Sequence, residues 1–571
     1  MAAARTRQER ARAAARPPGV ASASRGPNPA PAAPGRRPPD HGRRLAGRLT
    51  AASRRLAPRP ALLVTAAAAV AVAQLPLVYL VLRTGEQAGA RGLGQLFGSR
   101  TVELAVRSVA LAGVVTVACV VLGVGSAFLV TRTDVPGRRV FGVLAALPLA
   151  LPSYVAAFAW TAAVHALDPT VTFQGFWPAA LVLTLCSYPY VYLPVAGALV
   201  GVDPAAEEVS RSLGRGPWRT FTGVTLRQVR PAAAAGGLLV ALYVLSDFGA
   251  VAIVRTDTFT RAVFTYFDVG LSGRALALAT VLVGLTVLLL VGEGVTRRRG
   301  ARYARVGAGT ARPAPRLRLR AARWPAATGL AAVSLLALGV PAWSLSRWVA
   351  AGVSRPGSLG EIVSAAAGSL WVSLAGTALT MLLALPVGLL VARAPGPLAT
   401  LLDRLSYLPH ALPGVVIGLS LVFLGINVLY PLYQTVWLLA LAYAVLFLPL
   451  AVGAVAAAAA QAPPHLEQVA RSLGRRPWTV FRTVTLPLTA PGVGAGAALV
   501  FLTCMKELPA TLLLRPTGLD TLATRLWTHT GVVQFAAAAP YAALLVAITA
   551  VPTWLLVSRT GVLRKEVGGR G

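Results

Sequence analysis

Twelve long apolar segments dominate this sequence of 571 residues. A helix needs about 20 apolar residues to cross a hydrocarbon core about 30 Å thick, because it must satisfy its own backbone groups there. Charged residues make up only 13% of the chain, against about 25% in soluble proteins. The sequence therefore predicts an all-α polytopic membrane protein with about twelve transmembrane helices. The predicted spans are 61–82, 105–130, 140–164, 176–201, 232–254, 275–296, 325–347, 366–392, 405–426, 435–460, 492–514 and 535–558.

The distribution of the net charge of +35 favours a membrane protein over a nucleic-acid-binding one. The basic residues lie between apolar segments, not along one face with aromatic residues among them. Residues 297–324 contain ten Arg and no acid, whereas 165–175 and 427–434 contain no Lys or Arg. Because positively charged loops stay in the cytoplasm, we expect a multi-pass protein of the inner (cytoplasmic) membrane with both termini in the cytoplasm.

A strong internal repeat divides the chain. Residues 207–231 and 467–491 are identical at 14 of 25 positions at a constant offset of 260. Six spans separate the copies, so we expect two parallel six-helix repeats around a pathway at their interface. The predicted divisions are a disordered basic tail 1–59, a first transmembrane domain 60–296, a basic cytoplasmic linker 297–324, a second transmembrane domain 325–558 and a C-terminal tail 559–571. The first tail could contact anionic membrane lipid or remain solvated.

The repeated segment is a candidate docking element on the cytoplasmic side. Its glycine suits the end of one short helix and its following proline the start of another, with Pro231 and Pro491 expected to end the segments before the next spans. The duplication favours a two-fold partner such as an ATPase dimer; an interfacial helix with aromatic residues at the lipid headgroups is the alternative. The candidate residues are Glu207, Glu208, Arg211, Gly214, Trp218, Phe221, Glu467, Gln468, Arg471, Gly474, Trp478 and Phe481.

The segment resembles the EAA loop of permease subunits of binding-protein-dependent ABC importers. The EAA positions hold Glu208-Val209-Ser210 and Gln468-Val469-Ala470, followed by the motif glycines. Gln468 departs from the pattern, and Glu207 or Glu467, one residue earlier, could substitute for the motif acid. The resemblance implies a coupling helix that fits a groove on a separate ATP-hydrolysing subunit, and an extracytoplasmic substrate-binding protein.

The substrate is indicated only by further resemblance. The fused duplication, with KELPATLLLRP at 506–516 and LDTLATRLW at 519–527, looks most like ferric-iron importer permeases. Thiamine and phosphonate permeases are built similarly. Transport would follow alternating access, and an ATPase-independent secondary transporter or a membrane-embedded enzyme are the competing classes.

Catalytic and cofactor motifs are absent from the sequence. It contains no GxxxxGK[ST] phosphate-binding loop, no nucleophile–base pair and no Cys/His metal spacing. We therefore expect a transport subunit that is not an enzyme, has no cofactor and no resident metal, and depends on a separate ATPase.

Two acids fall inside predicted spans at the repeat offset. Asp247 and Glu507 each follow their loop's last proline by 16 residues, and charges inside spans are costly unless functional or paired. They could face the pathway or pair structurally, and Lys506 could neutralise Glu507. Prolines interrupt corresponding spans and predict bends that line the pathway or only kink helices: Pro148 and Pro152, then Pro409 and Pro413.

Overall fold

A computed structural model shows a helical protein. Among the described residues the chain forms no β-strand, and a single β-bridge joins Thr133 and Leu317. The predicted tail 1–59, all but the first residue of the tail 559–571 and the middle of the linker 297–324 lie outside the described residues. The described residues are 60–87, 98–201, 205–300, 316–352 and 359–559.

Each repeat contributes twelve described helices. In the first repeat they are α1 Pro60–Gln87, α2 Ser99–Arg132, α3 Arg138–Leu144, α4 Ser153–Leu167, α5 Phe176–Ser187, α6 Pro189–Gly201, α7 Ala205–Ser212, α8 Pro217–Thr220, α9 Leu226–Ser246, α10 Gly249–Ile253, α11 Phe259–Asp268 and α12 Ser272–Gly300. In the second they are α13 Arg323–Ser334, α14 Val340–Gly352, α15 Leu359–Arg393, α16 Pro397–Tyr407, α17 Gly414–Asn427, α18 Val436–Gln461, α19 Pro464–Ser472, α20 Pro477–Val480, α21 Leu486–Met505, α22 Pro509–Leu514, α23 Leu522–Gly531 and α24 Phe535–Arg559.

The described part of the chain has the predicted all-α polytopic architecture, and its apolar helices differ in length. Nine helices there are long and apolar enough to cross a membrane, or ten if the bent pair Arg138–Ala150 and Ser153–Leu167 counts as one span. That pair bends by 101°. Two further apolar helices, Gly414–Asn427 and Phe535–Ala550, are shorter. The bent pair and the segment just before Gly414–Asn427 carry the paired prolines. Proline has no backbone N–H donor, so regular helix ends at these positions.

Two predicted spans end earlier than expected. The segment 232–254 breaks after Ser246, and 492–514 breaks after Met505. In each case a short helix, α10 or α22, follows the break. The two intramembrane acids therefore lie at helix breaks and not within continuous helices.

The prolines expected to separate the repeated loops from the next spans do not do so. Pro231 lies inside α9 and Pro491 inside α21. The helical segments Trp218–Ser246 and Trp478–Met505 are each continuous. Each repeated loop is therefore joined to the following span without a break in the helix.

The first helix of each repeat packs on the other repeat. Helix α1 contacts α15 and α17, and its Gln74 amide donates to the backbone oxygen of Leu405 at 2.8 Å. In the second repeat, α14 continues the first helical segment, Arg320–Ala351. It packs on α4 as well as on α24 of its own repeat, and the Trp348 indole N–H donates to the oxygen of Ala162 at 3.1 Å. This exchange joins the two repeats into one helical core.

Candidate functional site

The first repeated loop is a helix–glycine–helix element. Helix α7 ends before Gly214, whose φ of 73° lies in the left-handed region that glycine tolerates. Helix α8 then begins at Pro217 and passes through one π turn, Phe221–Thr225, into α9. The loop thus has the architecture that the glycine and proline positions predict, apart from the π turn.

The second loop repeats this geometry in detail. Gly474 has φ of 77° between α19 and α20. A π turn, Phe481–Thr485, again leads into the next span. Wide turns of this kind inside helices are rare and are frequent at functional sites. The two loops therefore share this turn at the same place in each repeat.

A buried acid anchors each loop to the end of a span. Glu207 forms an ion pair with Arg132 at the end of α2, where the two side chains are 6% and 7% exposed. Glu467 pairs with Arg393 at the end of α15, with 2.8 Å between nitrogen and oxygen. In both repeats, the acid one residue before the EAA position therefore holds the loop to the end of a span.

Further contacts complete these anchors. Thr225 and Thr485 in the π turns donate their hydroxyls to the same carboxylates, at 2.7 and 3.1 Å. Arg471 lies 3.3 Å from Glu467, and Arg211 lies 4.0 Å from Glu207. Each carboxylate thus ties its own short helix to the π turn of the loop and to the end of a span.

The acid or amide at the motif position itself faces outward. Glu208 and Gln468 are both exposed. Sequence reasoning missed the arginine partners, Arg132 and Arg393, although both end a matching LVTR or LVAR segment at nearly the repeat offset. That match, together with the repeated glutamate, was the available signal.

The outer face of each loop is apolar and uncovered among the described residues. Trp218 is 73% exposed and Trp478 is 66% exposed. Val209 and Leu213 in one loop, like Val469 and Leu473 in the other, are also exposed. Large aromatic and aliphatic side chains of this kind are typical anchors of protein interfaces.

The two predicted aromatic residues of each loop have different environments. Phe221 packs on Phe128 of α2 with 4.4 Å between ring centroids, and it contacts Trp218 at 5.6 Å. Phe481 stacks on Trp478 at 5.5 Å. The phenylalanines are partly buried, so they support the exposed tryptophans from behind.

The two intramembrane acids cap the short helices that follow the breaks. The carboxylate of Asp247 accepts the backbone N–H groups of Ala250 and Val251 at 3.0 and 3.3 Å. The carboxylate of Glu507 accepts that of Ala510 at 3.1 Å. These bonds satisfy donors that a helix start otherwise leaves unpaired inside the membrane.

Lys506 does not neutralise Glu507 in the described part of the chain. Its ammonium group donates to the backbone oxygen of Leu149 in the first repeat at 2.8 Å. The contact lies at the interface of the two repeats. It joins one helix break to the proline-rich bend before α4, where Pro148 and Pro152 are buried.

The two breaks differ in one compensating pair of residues. Ser153 donates its hydroxyl to Asp247, whereas the corresponding Gly414 leaves room for the longer Glu507. A Cβ atom at Gly414 would lie 2.6 Å from the Glu507 carboxylate oxygen. The short acid therefore faces serine, and the long acid faces glycine.

Comparison with known proteins places these features in a family. The family described as binding-protein-dependent transport system inner membrane component matches residues 119–299 and 384–559. The Fe(3+)-transport system permease protein FbpB 2 of Haemophilus influenzae is 38% identical over 84% of this chain and 95% of its own length.

More distant relatives match only part of the chain. The molybdenum transport system permease protein ModB of Escherichia coli is 37% identical over 25% of this chain and 68% of its own. The putative 2-aminoethylphosphonate transport system permease protein PhnV of Salmonella typhimurium is 32% identical over 29% of this chain and 62% of its own. Two family matches in one chain, each containing one repeated loop, establish that this protein belongs to the inner-membrane permeases of binding-protein-dependent ABC importers.

Proposed function

We propose that this chain imports ferric iron across the cytoplasmic membrane, using the ATP hydrolysis of a separate subunit. The observation that carries the proposal is the 38% identity, over nearly the whole of both chains, to an Fe(3+)-transport system permease. An extracytoplasmic binding protein delivers the iron, and the transport subunit itself is not an enzyme. Both termini lie in the cytoplasm, on the side of the repeated loops.

The ATPase partner is a dimer that binds both loops. The matched geometry of the loops and their exposed apolar faces support this assignment, since two equal surfaces suit a two-fold partner. The continuous helices through Pro231 and Pro491 support transmission of the ATPase movement into α9 and α21. The two repeats then rock against each other, as alternating access requires.

Asp247 and Glu507 lie along the pathway in this proposal. Broken helices with caps near the middle of the membrane are typical of transporter sites at repeat interfaces. The position of Lys506 at the same interface is consistent with this placement. Uptake should be lost in Asp247→Asn/Glu507→Gln while the subunits still copurify; retained uptake would mean that these acids serve only as helix caps.

Uptake measurements test the cargo. Cells that lack this gene and cells that express it, together with the partner genes, are compared for accumulation of radioactive ferric iron and of radioactive thiamine. We expect gene-dependent accumulation of iron alone, abolished when the ATPase lacks its phosphate-binding lysine. Gene-dependent thiamine uptake without iron uptake would overturn the assignment.

Copurification tests the docking surface. The double variant Trp218→Ser/Trp478→Ser should release the ATPase, because it removes both exposed anchors. Trp177 provides a matched control, since it is 71% exposed at the far end of a span, and Trp177→Ser should leave association intact. Equal recovery of the ATPase with both variants would contradict docking at the loops.

A further inference from the structure

A cavity of about 410 Å³ opens at the end of the helix bundle opposite the repeated loops. Its walls include the segment after α4 and the segment after α10, and each is separated from the first loop by one span. The 26-residue helical segment Phe176–Gly201, for example, spans about 39 Å. Trp527 and Phe535 of the second repeat complete the wall, so the cavity lies between the repeats.

Arg255 is a free cation in this cavity. It lines the wall and is exposed, and no ion pair or hydrogen bond of its guanidinium group occurs in the part of the chain that the structure describes. Its counterpart at the repeat offset of 260 is Arg515, which forms an ion pair with Asp520. The corresponding arginines of the two repeats therefore differ in their partners.

The difference arises because other arginines form ion pairs with the acid of the first repeat. Asp257 is contacted by Arg261 at 2.9 Å, Arg100 at 3.2 Å and Arg107 at 3.7 Å. At the offset of 261 that relates the two α2-type helices, Arg100 and Arg107 correspond to Glu361 and Gly368. The second repeat lacks those two competing cations, and its Asp520 pairs both with Arg515 and with Arg525, at 2.9 Å from the latter.

The backbone that carries Arg255 is held firmly in place. Its φ of 53° lies in the left-handed region, which is unfavourable for a residue other than glycine. Neighbouring contacts fix it: Gly175 N–H donates to Val254 oxygen at 2.7 Å, and the Thr256 hydroxyl donates to Gly175 oxygen at 2.7 Å. Arg261 also donates to the Arg255 oxygen at 3.1 Å. A strained residue held by its surroundings is typical of a binding site.

The cavity is unsuited to a bare trivalent cation. Hard cations need several oxygen ligands, whereas Asp268 is the single carboxylate in its described lining. No group of three or more His, Cys, Asp or Glu that could hold a metal occurs among the residues described. The free guanidinium group repels positive charge and pairs well with carboxylate oxygens.

We infer that Arg255 binds an anionic carboxylate group of the cargo, so that ferric iron enters this cavity as a carboxylate chelate and not as a bare ion. This inference rests on the proposed iron function. Phe248, Phe264 and Trp527 form a ring cluster in the cavity wall, with centroids 4.8 to 6.1 Å apart. These apolar rings reduce the local screening of charge, which strengthens an ion pair at Arg255.

Binding measurements with the purified full-length protein in lipid nanodiscs test the inference. Equilibrium dialysis with radioactive citrate, alone and as ferric citrate, is performed on the parent protein, Arg255→Gln, Arg255→Lys and Arg274→Gln. Arg274 is the matched control, because it is an exposed arginine nearby that stacks on Tyr266 outside the cavity lining. The elution volume in size-exclusion chromatography verifies the fold of each variant.

We expect Arg255→Gln to bind both probes about tenfold or more weakly, since a hydrogen-bonded charge contact is lost. Arg255→Lys should retain part of the affinity, and Arg274→Gln should bind as the parent does. Equal binding by Arg255→Gln, or no citrate binding by the parent protein, overturns the inference. Dialysis needs no ATPase, so failure of gene-dependent iron uptake alongside Arg255-dependent binding would instead refute the iron-import function.

Discussion

The buried ion pair that anchors the first loop should contribute to the free energy of unfolding, and one substitution tests this. In Glu207→Gln, Arg132 keeps its charge in a site where only 7% of its side chain is exposed. Removing one partner of a buried pair costs about 3–5 kcal/mol, so the melting temperature of the purified protein should fall clearly. Glu208→Gln, at an exposed position, should shift it little.

A double substitution at the same ion pair distinguishes the effect of an unpaired charge from the effect of lost packing. In Arg132→Met/Glu207→Leu, neither charge remains to be desolvated, and we expect most of the lost stability to return. A double variant as unstable as Glu207→Gln would mean that packing, not the unpaired charge, causes the loss.

The helix breaks carry a compensating pair that a double-mutant cycle can measure. In Gly414→Ser, the new side chain displaces the Glu507 carboxylate from the Ala510 N–H, which should cost about 1 kcal/mol of stability. Adding Glu507→Asp recreates the Ser153–Asp247 arrangement of the first repeat and should restore the loss. Thermal unfolding in detergent measures the coupling; strictly additive effects of the two changes would contradict it.

At the scale of elements, the loop glycines separate backbone strain from packing. A Cβ atom at Gly474 meets nothing within 4 Å, so Gly474→Ala changes only the backbone preference at φ of 77°. We expect a loss of about 1 kcal/mol, and a smaller loss for Gly474→Asn, since asparagine tolerates this region better. Thermal unfolding of the two variants provides the comparison, and an Asn variant no more stable than the Ala variant would show that φ is not the cause.

Sequence patterns predict some elements of this fold well and others poorly. The short helices around Gly214 and Gly474 follow from local glycine and proline chemistry. The breaks after Ser246 and Met505 were not predicted, because the carboxylates that cap the following helices take that role only in the folded structure. The π turns could not be predicted from the sequence either. Their threonines donate hydrogen bonds to Glu207 and Glu467, and those contacts form only in the folded loop.

The pairing of distant residues was the hardest part of the site to predict. Arg132 lies 75 residues from Glu207 in sequence, and charge patterns do not connect positions so far apart. Arg255 directly follows the predicted span 232–254, and that position does not distinguish it from other loop arginines. Whether its guanidinium group forms an ion pair depends on which neighbouring arginines bind the nearby acid, and only the folded structure shows that.

At the scale of the whole molecule, the exchange of first helices was not predictable from the duplication, which leaves open the repeat on which each helix packs. Residues Ala66, Ala69, Val70 and Ala73 of α1 are buried in one cluster with the second repeat. Stability of either repeat should therefore depend on the other, because separation removes the close helix–helix packing that holds membrane helices together.

A chain cut in the predicted linker tests this dependence. Fragments 1–308 and 309–571, expressed together, should copurify and behave as one particle in size-exclusion chromatography. Fragment 309–571 alone lacks α1 and should aggregate, because the helices that pack on α1 are then left without their packing partner. The full chain without residues 1–55 is the control, and it should remain monodisperse because it retains α1. If 309–571 alone is as monodisperse as the coexpressed pair, the exchanged helix is dispensable and the repeats fold independently.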